Sequence, residues 1–195
     1  MLLTICLSAH RNFINRFLLL LLPVFLGMAT AAQTDKPMAD TLARMAIADQ
    51  QAAGIPPAGI VFGTVEWRRF KDSVFASNYA KASFMFSLSG YPGYDRVGEE
   101  GSHNFWMIVQ HSDSWPEFQK EVLVAMGKEV KRNNAAPADY AYLIDRVRIN
   151  AGQKQVYGTQ FEFDSEEGKY QLRLPVDDAA LLSFEKKFFN GNSVT

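Results

Sequence analysis

Cysteine is almost missing from this chain, which has one, Cys6, in 195 residues. Cys6 lies in an N-terminal segment that we expect to be removed on export, so the mature chain would carry no thiol. That excludes disulfides, a thiolate nucleophile and cysteine-ligated metals from the mature protein, even in an oxidising compartment. Stability must then come from packing, for which the chain has 15 Phe, 7 Tyr and 3 Trp residues.

An excess of charge of either sign is also missing, because 20 Lys and Arg residues stand against 21 Asp and Glu residues. Removing residues 1–32 takes away Arg11 and Arg16 and no acid, which leaves a net charge of about −3. A chain without a basic excess has no electrostatic footprint for nucleic acid or anionic lipid. The composition therefore predicts no nucleic-acid partner.

Histidines and familiar catalytic motifs are few. The chain has three histidines, and His10 would leave with the N-terminal segment, so a histidine-dependent mechanism must use His103 or His111. The sequence contains no G-x-S-x-G elbow, Walker loop, H-E-x-x-H helix or G-x-G-x-x-G turn. It predicts no metal site and no cofactor.

Residues 1–32 have the pattern of a secretory signal peptide. Arg11 and Arg16 give a positive start, Phe17–Met28 is apolar, and Ala29-Thr30-Ala31 is a small-x-small cleavage signal. The apolar run is shorter than the roughly 20 residues of a spanning helix, which disfavours an uncleaved anchor. We expect a periplasmic or secreted protein with no stable membrane insertion after cleavage.

The rest of the chain predicts a mainly α-helical fold with a small β-hairpin near the C-terminus, an α+β class. A linker over residues 33–37 would precede one compact helical domain over 38–195. The predicted helices cover 38–53, 66–89, a segment capped by Ser102 that ends near His111, one opened by a capping box at Ser114, one from Pro137 or Asp139 to Gly152, and a last one capped by Asp177 or Asp178. Alternating apolar residues predict two strands, one carrying Tyr157, Thr159, Phe161 and Phe163, the other Tyr170, Leu172 and Leu174.

Gln110, His111 and Asp113 lie together where one predicted helix ends and the next begins. A helix C-terminus favours a charged imidazolium, and a helix N-terminus favours a carboxylate. His111 is therefore a candidate general acid or base, oriented by Asp113 or Asp145. The alternative is structural: His111 caps its own helix, and Asp113 caps the following one.

Two further segments carry candidate ligand-binding residues. Tyr142 and Arg146 are one helical turn apart, and the planar fork of Arg146 suits a carboxylate or phosphate. Gln155, Tyr157 and Gln160 surround Gly158 in a predicted strand, where a bulge would bring both glutamines to one side. The structural alternatives are an arginine that favours the helix dipole and an ordinary edge hairpin with solvated glutamines.

Several separated motifs follow one another between residues 90 and 189. They are Gly90-Tyr91-Pro92, Trp106 with Val109-Gln110-His111-Ser112-Asp113, Tyr140 to Val147, and Gly152 to Gln155 leading into Tyr157-Gly158-Thr159-Gln160. Together they resemble the bacterial family known as domain of unknown function 6624. Tyr91 departs from the family's usual Trp, and Ser112 from its common Ala. The resemblance implies that the polar elements belong to one shared feature, and it implies no particular reaction.

Three functional hypotheses follow. In the first, the protein binds a small polar or anionic ligand, such as a cell-envelope component, in a polar cleft lined by Gln110, Tyr142, Arg146, Gln155, Tyr157 and Gln160. In the second, it is an exported hydrolase or lyase that uses His111 with Asp113 or Asp145. In the third, the polar residues form a structural network and a protein-binding surface carries the function. The first two require His111, Arg146 and a glutamine to meet in one hollow.

Overall fold

The computed structural model describes residues 35–54 and 56–180, and within them the chain is mainly helical with a small antiparallel hairpin, as expected. The helices are α1 (Lys36–Ala53), α2 (Val65–Ser89), α3 (Tyr94–Gln110), α4 (Pro116–Lys131) and α5 (Pro137–Asn150), and the strands are β1 (Phe161–Asp164) and β2 (Lys169–Leu172). Another helical turn occupies residues 178–180. The signal peptide predicted over residues 1–32, and most of the predicted last helix, lie outside the described residues.

Local chemistry explains where the first two helices begin and end. The Asp35 carboxylate caps α1 by accepting the Met38 N–H at 3.1 Å, and the Thr64 hydroxyl caps α2 by accepting the Trp67 N–H at 3.2 Å. α1 thus starts at Lys36, inside the segment predicted as a linker. α2 stops at Gly90, whose φ of 73° suits a residue without a Cβ.

The expectation that Ser102 begins the third helix is wrong. α3 starts at Tyr94, and a non-helical Gly98 with φ 75° interrupts its first turns. Ser102 lies inside α3, where its buried hydroxyl donates to the Tyr91 hydroxyl at 3.2 Å, and the Tyr91 hydroxyl donates to the Ser102 carbonyl at 3.3 Å. The sequence alone does not distinguish a serine that caps a helix from one that lies inside a helix and bonds to a distant tyrosine. Burial raises the pKa of Tyr91, so this phenol stays neutral.

The start of the fourth helix and of the hairpin also differ from the predictions. Trp115 is the residue before α4, and no side chain caps this end, so Ser114 and Glu117 form no capping box there. The first strand starts at Phe161 rather than Tyr157, because the preceding residues turn inward to pair with a buried side chain of α5. In the hairpin, Phe161 pairs with Leu172 and Phe163 with Tyr170.

The core lies around α3, which packs against α1, α2, α4 and α5. Its members are apolar and buried, and the burial of each side chain stabilises the fold by roughly 2 kcal/mol. The most buried apolar residues are Leu42, Phe105, Ile108, Val109, Val122, Met126 and Leu143. α3 presents different faces to these neighbouring helices, and polar residues occupy the margins of those faces.

No helix in the described part of the chain combines the length and the apolar character that crossing a bilayer requires.

Candidate functional site

Asp145 organises the loop that follows α5. Its carboxylate is fully buried and accepts the N–H of Val156 at 2.6 Å, of Tyr157 at 3.1 Å and of Thr159 at 2.9 Å. The Thr159 hydroxyl adds a fourth bond at 2.9 Å. Both carboxylate oxygens of Asp145 thus accept hydrogen bonds from the loop after α5. The expectation that Asp145 orients His111 is wrong, because its donors all come from this loop.

The predicted strand bulge at Gly158 does not form, because Gly158 lies in the loop before β1, and Gln155 instead pairs with the backbone of Gln160. The Gln155 amide donates to the Gln160 carbonyl at 2.9 Å and accepts the Gln160 N–H at 2.8 Å. It also donates to the Leu174 carbonyl at 2.8 Å. Gly158 has φ 70°, the left-handed turn that the close approach needs. Because Gln155 is fully buried with its amide engaged, it braces the loop and is not open to a ligand.

Arg146 and Asp113 form a two-pronged ion pair. Arg146 donates from Nε to Oδ1 at 3.0 Å and from Nη2 to Oδ2 at 2.5 Å. Gln119 and Asn150 donate to the same carboxylate at 3.1 and 2.8 Å, and Arg146 reaches the Gln160 side-chain oxygen at 3.4 Å. Asp113 therefore joins α4 and α5. It does not orient His111, contrary to the expectation.

The ion pair gives the fold a pH dependence. Burial acts to raise the pKa of Asp113, but the hydrogen bonds and charge of Arg146, with the bonds from Gln119 and Asn150, outweigh it and lower the pKa below its ordinary value. A carboxyl that binds protons more weakly when folded stabilises the fold at neutral pH, and this stabilisation is lost as the pH falls.

We therefore expect the free energy of unfolding of the wild type to decrease below about pH 4, and that of Asp113→Asn to decrease less steeply over the same range. Urea denaturation at pH 7 and at about pH 3.5, with both proteins, measures the two slopes. Identical slopes would mean that Asp113 is not held in its charged form by Arg146.

α3 packs against α5, and side chains of the two helices meet along the contact. His103 Nδ1 lies 2.9 Å from an Asp139 oxygen, and further along, the Trp106 and Tyr142 rings meet at 6.2 Å between centroids. The Asp113–Arg146 pair closes the far end. We call this surface the α3–α5 seam, and its members are His103, Trp106, Gln110, Asp113, Asp139, Tyr142, Arg146 and Asn150. Tyr142 and Arg146, two predicted ligand-binding residues, lie on this surface, and Gln110 is assigned to it because it follows Trp106 by one helical turn.

Two side chains of the seam, Gln110 and Trp106, make no hydrogen bond to a described residue. Gln110 is 8% exposed, and its side-chain amide makes no hydrogen bond to any described residue. One turn earlier on the same face of α3, the Trp106 Nε1–H is buried, and among the described residues it also has no acceptor. The Gln119 side-chain oxygen is also buried, and among the described residues it has no donor. Buried polar groups are nearly always paired in folded proteins, so the Trp106 and Gln119 atoms call for an explanation.

His111 lies on another side of α3 and has a partner that the sequence analysis missed. Its Nδ1 is 2.5 Å from an oxygen of Asp49 on α1, and its ring stacks on Phe75 with centroids 5.0 Å apart. Asp49 is fully buried and also accepts from the Gln50 and Asn78 side chains. The His111 side chain keeps 24% of its surface exposed. We call Asp49 and His111 the dyad.

The described residues show no direct interaction that would join His111 to the other members of the single hollow required by the binding and enzyme hypotheses. Within residues 35–54 and 56–180, no hydrogen bond or ion pair joins His111 to Arg146, Gln155 or Gln160. Tyr157 takes part through its N–H, which holds Asp145. The signal for Asp49 was present in the sequence, since this carboxylate falls on the apolar stripe of α1 with Leu42, Met45 and Ala46.

The comparisons with known proteins give no guide to the site, because no family model, no curated protein and no solved structure matches the chain. In the part of the chain that the structure describes, no three or more His, Cys, Asp or Glu side chains come close enough to bind a metal ion. What the surfaces can do must be argued from the seam and the dyad themselves.

Proposed function

We propose that the protein is exported and binds a small polar ligand along the α3–α5 seam. The observation that carries the proposal is the Gln110 amide, which is 8% exposed and has no hydrogen-bond partner among the described residues. Its donor hydrogens and its acceptor are therefore available, and a ligand with amide or hydroxyl groups would pair with both.

The seam also favours an uncharged polar ligand over an anion. Arg146 is the cation nearest to Gln110 along α5, and Asp113 already holds its fork by two hydrogen bonds. An anion would have to displace that carboxylate. Trp106 and Tyr142 supply aromatic surface beside the amide, and Tyr142 is 46% exposed. Cell-envelope components rich in amides and hydroxyls have this mixture of polar groups and apolar faces.

Export and family membership belong to the same proposal. They rest on the signal-peptide pattern of residues 1–32 and on the motifs that resemble domain of unknown function 6624 over residues 90–189. A periplasmic or secreted location would bring the seam into contact with the cell envelope. The arrangement of the motifs supports a shared structural role for most of them, since Asp145, Gln155 and Gln160 brace one loop.

A hydrolase or lyase centred on His111 is the second candidate, and the dyad favours it. Asp49 engages Nδ1 of the ring, while Nε2 makes no hydrogen bond to a described residue. A buried carboxylate that fixes one ring nitrogen and leaves the other to move a proton is the arrangement of a general acid–base histidine. Asp49 takes the orienting role first considered for Asp113 and Asp145.

A thermal-shift screen of amide-rich and hydroxyl-rich cell-wall fragments tests the proposal. A ligand of the seam at roughly 100 times its Kd would raise the unfolding temperature by about 5–10 °C. We expect Gln110→Leu, which keeps the size of the side chain and removes the amide, to abolish the shift. Gln171→Leu removes an exposed amide from the hairpin and is expected to keep it.

His111→Ala separates the two candidates in the same screen. A ligand of the seam should stabilise His111→Ala as much as the wild type, because among the described residues the His111 side chain bonds to Asp49 and stacks on Phe75, neither of which is a seam residue. A shift that survives Gln110→Leu and disappears in His111→Ala would contradict the seam and favour the dyad. Product analysis of the screened fragments would then decide whether His111 catalyses their cleavage.

A further inference from the structure

A second concave surface lies between α1 and α3, away from the seam. It is a groove of about 660 Å³, within the usual size range of small-molecule sites. Its walls are largely apolar, and Ala43, Ala46 and Ile47 of α1 face Met107 of α3 across it. Ile47 is 62% exposed. We call this surface the α1–α3 groove.

One polar side chain that lines the groove makes no hydrogen bond within the described residues. Asn104 lines the groove and is 8% exposed, and its amide makes no hydrogen bond to any described residue. The amides of Gln50 and Gln51 line the α1 side. The Asn104 amide therefore offers one acceptor and two donor hydrogens to an occupant of the groove.

The charge of the groove selects the occupant. Glu100 is the one ionisable side chain among the described residues that line it, and no Lys or Arg does. A carboxylate at the mouth of an apolar groove attracts a cation and repels an anion. We propose that the α1–α3 groove binds a small organic ammonium compound, with its apolar body against Ile47 and Met107 and its ammonium donors shared between Glu100 and Asn104.

The groove also adjoins the dyad, which provides an independent readout. Gln50 lines the groove and donates to the same Asp49 oxygen that His111 contacts, at 3.3 Å. Met107 lies one helical turn before His111 on α3. An occupant of the groove would therefore perturb the His111 ring without touching the seam, so the test of this site is separate from the test of the seam.

Three probes of one shape and different charge test the proposal: benzylammonium, benzyl alcohol and benzoate. Each is titrated into protein labelled with ¹³C in its Ala, Ile and Met methyl groups, and NMR follows the methyls of Ala43, Ile47 and Met107. We expect saturable shifts with benzylammonium at about millimolar Kd, weaker binding of benzyl alcohol, and binding of benzoate at least about tenfold weaker. The His111 ring signals should shift with benzylammonium.

Glu100→Gln is the deciding variant, because it is exposed and keeps the side-chain size. We expect it to weaken benzylammonium by about threefold, as for a solvent-exposed ion pair, and to leave benzyl alcohol unchanged. Glu99→Gln, the same change one residue away and outside the groove, should alter neither. Asn104→Leu should abolish binding of all three probes while the spectrum stays that of a folded protein.

Several outcomes would overturn the proposal. They are equal affinity for benzylammonium and benzoate, no saturable shift at the groove methyls, an unchanged affinity in Glu100→Gln, or an equal loss in Glu99→Gln. The last of these would show that net charge, and not the groove, governs binding.

Discussion

Replacing Asp145 by Asn is expected to lower the free energy of unfolding by about 3 kcal/mol. The carboxylate is fully buried, and three backbone N–H groups and one hydroxyl donate to it. Asn has the same shape, but one of its two polar atoms is a donor. Whichever way the amide turns, its NH₂ group faces an N–H that has no other acceptor. The loss then includes both the charge-assisted bonds and a newly unpaired donor.

Urea denaturation followed by circular dichroism at pH 7 measures this loss, and Asp164→Asn is its matched control. Asp164 also accepts two backbone N–H groups, from Glu166 and Glu167, but in the exposed turn of the hairpin. Asn is well suited to such turns, so we expect a change below about 0.5 kcal/mol. Burial is the main difference between the two positions, so the comparison isolates its contribution.

A small effect at Asp145 would have a wide consequence. It would mean that the loop after α5 is held by other contacts and that its polar groups are not committed to the fold. Gln155 and Gln160 would then return as candidates for ligand recognition. A large effect leaves the seam, and above all Gln110, as the polar surface on this side of α3 with free hydrogen-bonding capacity.

Asp145 also shows why the sequence predicted too long a strand. Phe161 and Phe163 do lie in β1, but the same alternation continues backwards through Thr159 to Tyr157. The alternation of apolar residues shows which side chains share a face of a strand. It does not show whether the backbone N–H groups bond to an acceptor elsewhere in the chain. The N–H groups of Tyr157 and Thr159 pair with the carboxylate of α5 instead of with a second strand.

The helices were easier to predict, because their signals are local. Gly90 and Pro92 end α2, and the apolar stripe of α4 sets the face that it buries. The separation of His111 from Arg146 was not accessible in this way. His111 was correctly placed at a helix end, whereas Arg146 lies before the last turn of α5, and whether the two meet depends on which face of α3 each neighbour covers. Consecutive residues of a helix are rotated by about 100° around its axis, so the side chains of Gln110 and His111 lie on different surfaces.

The second prediction with a large expected effect concerns Asp49 of the dyad. Asp49→Asn is expected to lower the free energy of unfolding by about 2 kcal/mol, because the fully buried carboxylate accepts from His111, Asn78 and Gln50. It is also expected to change the His111 ring. A carboxylate can only accept, so a neutral ring that faces an ionised Asp49 holds its proton on Nδ1. The NH₂ group of Asn can donate to Nδ1, which would move the ring proton to Nε2.

Long-range ¹H–¹⁵N NMR of the imidazoles distinguishes the two tautomers, and Asp139→Asn is the matched control. Asp139 pairs with His103 at 2.9 Å, in the same manner, but the His103 side chain is 48% exposed. A ring open to water does not depend on one partner, so we expect a smaller loss of stability and a mixture of tautomers there. If His111 keeps its proton on Nδ1 in Asp49→Asn, Asp49 does not orient it, and the proposed acid–base role loses its structural basis. If the proton moves, Nε2 of the wild-type ring is the atom positioned to accept one, and any substrate of a His111 enzyme must present its labile proton there.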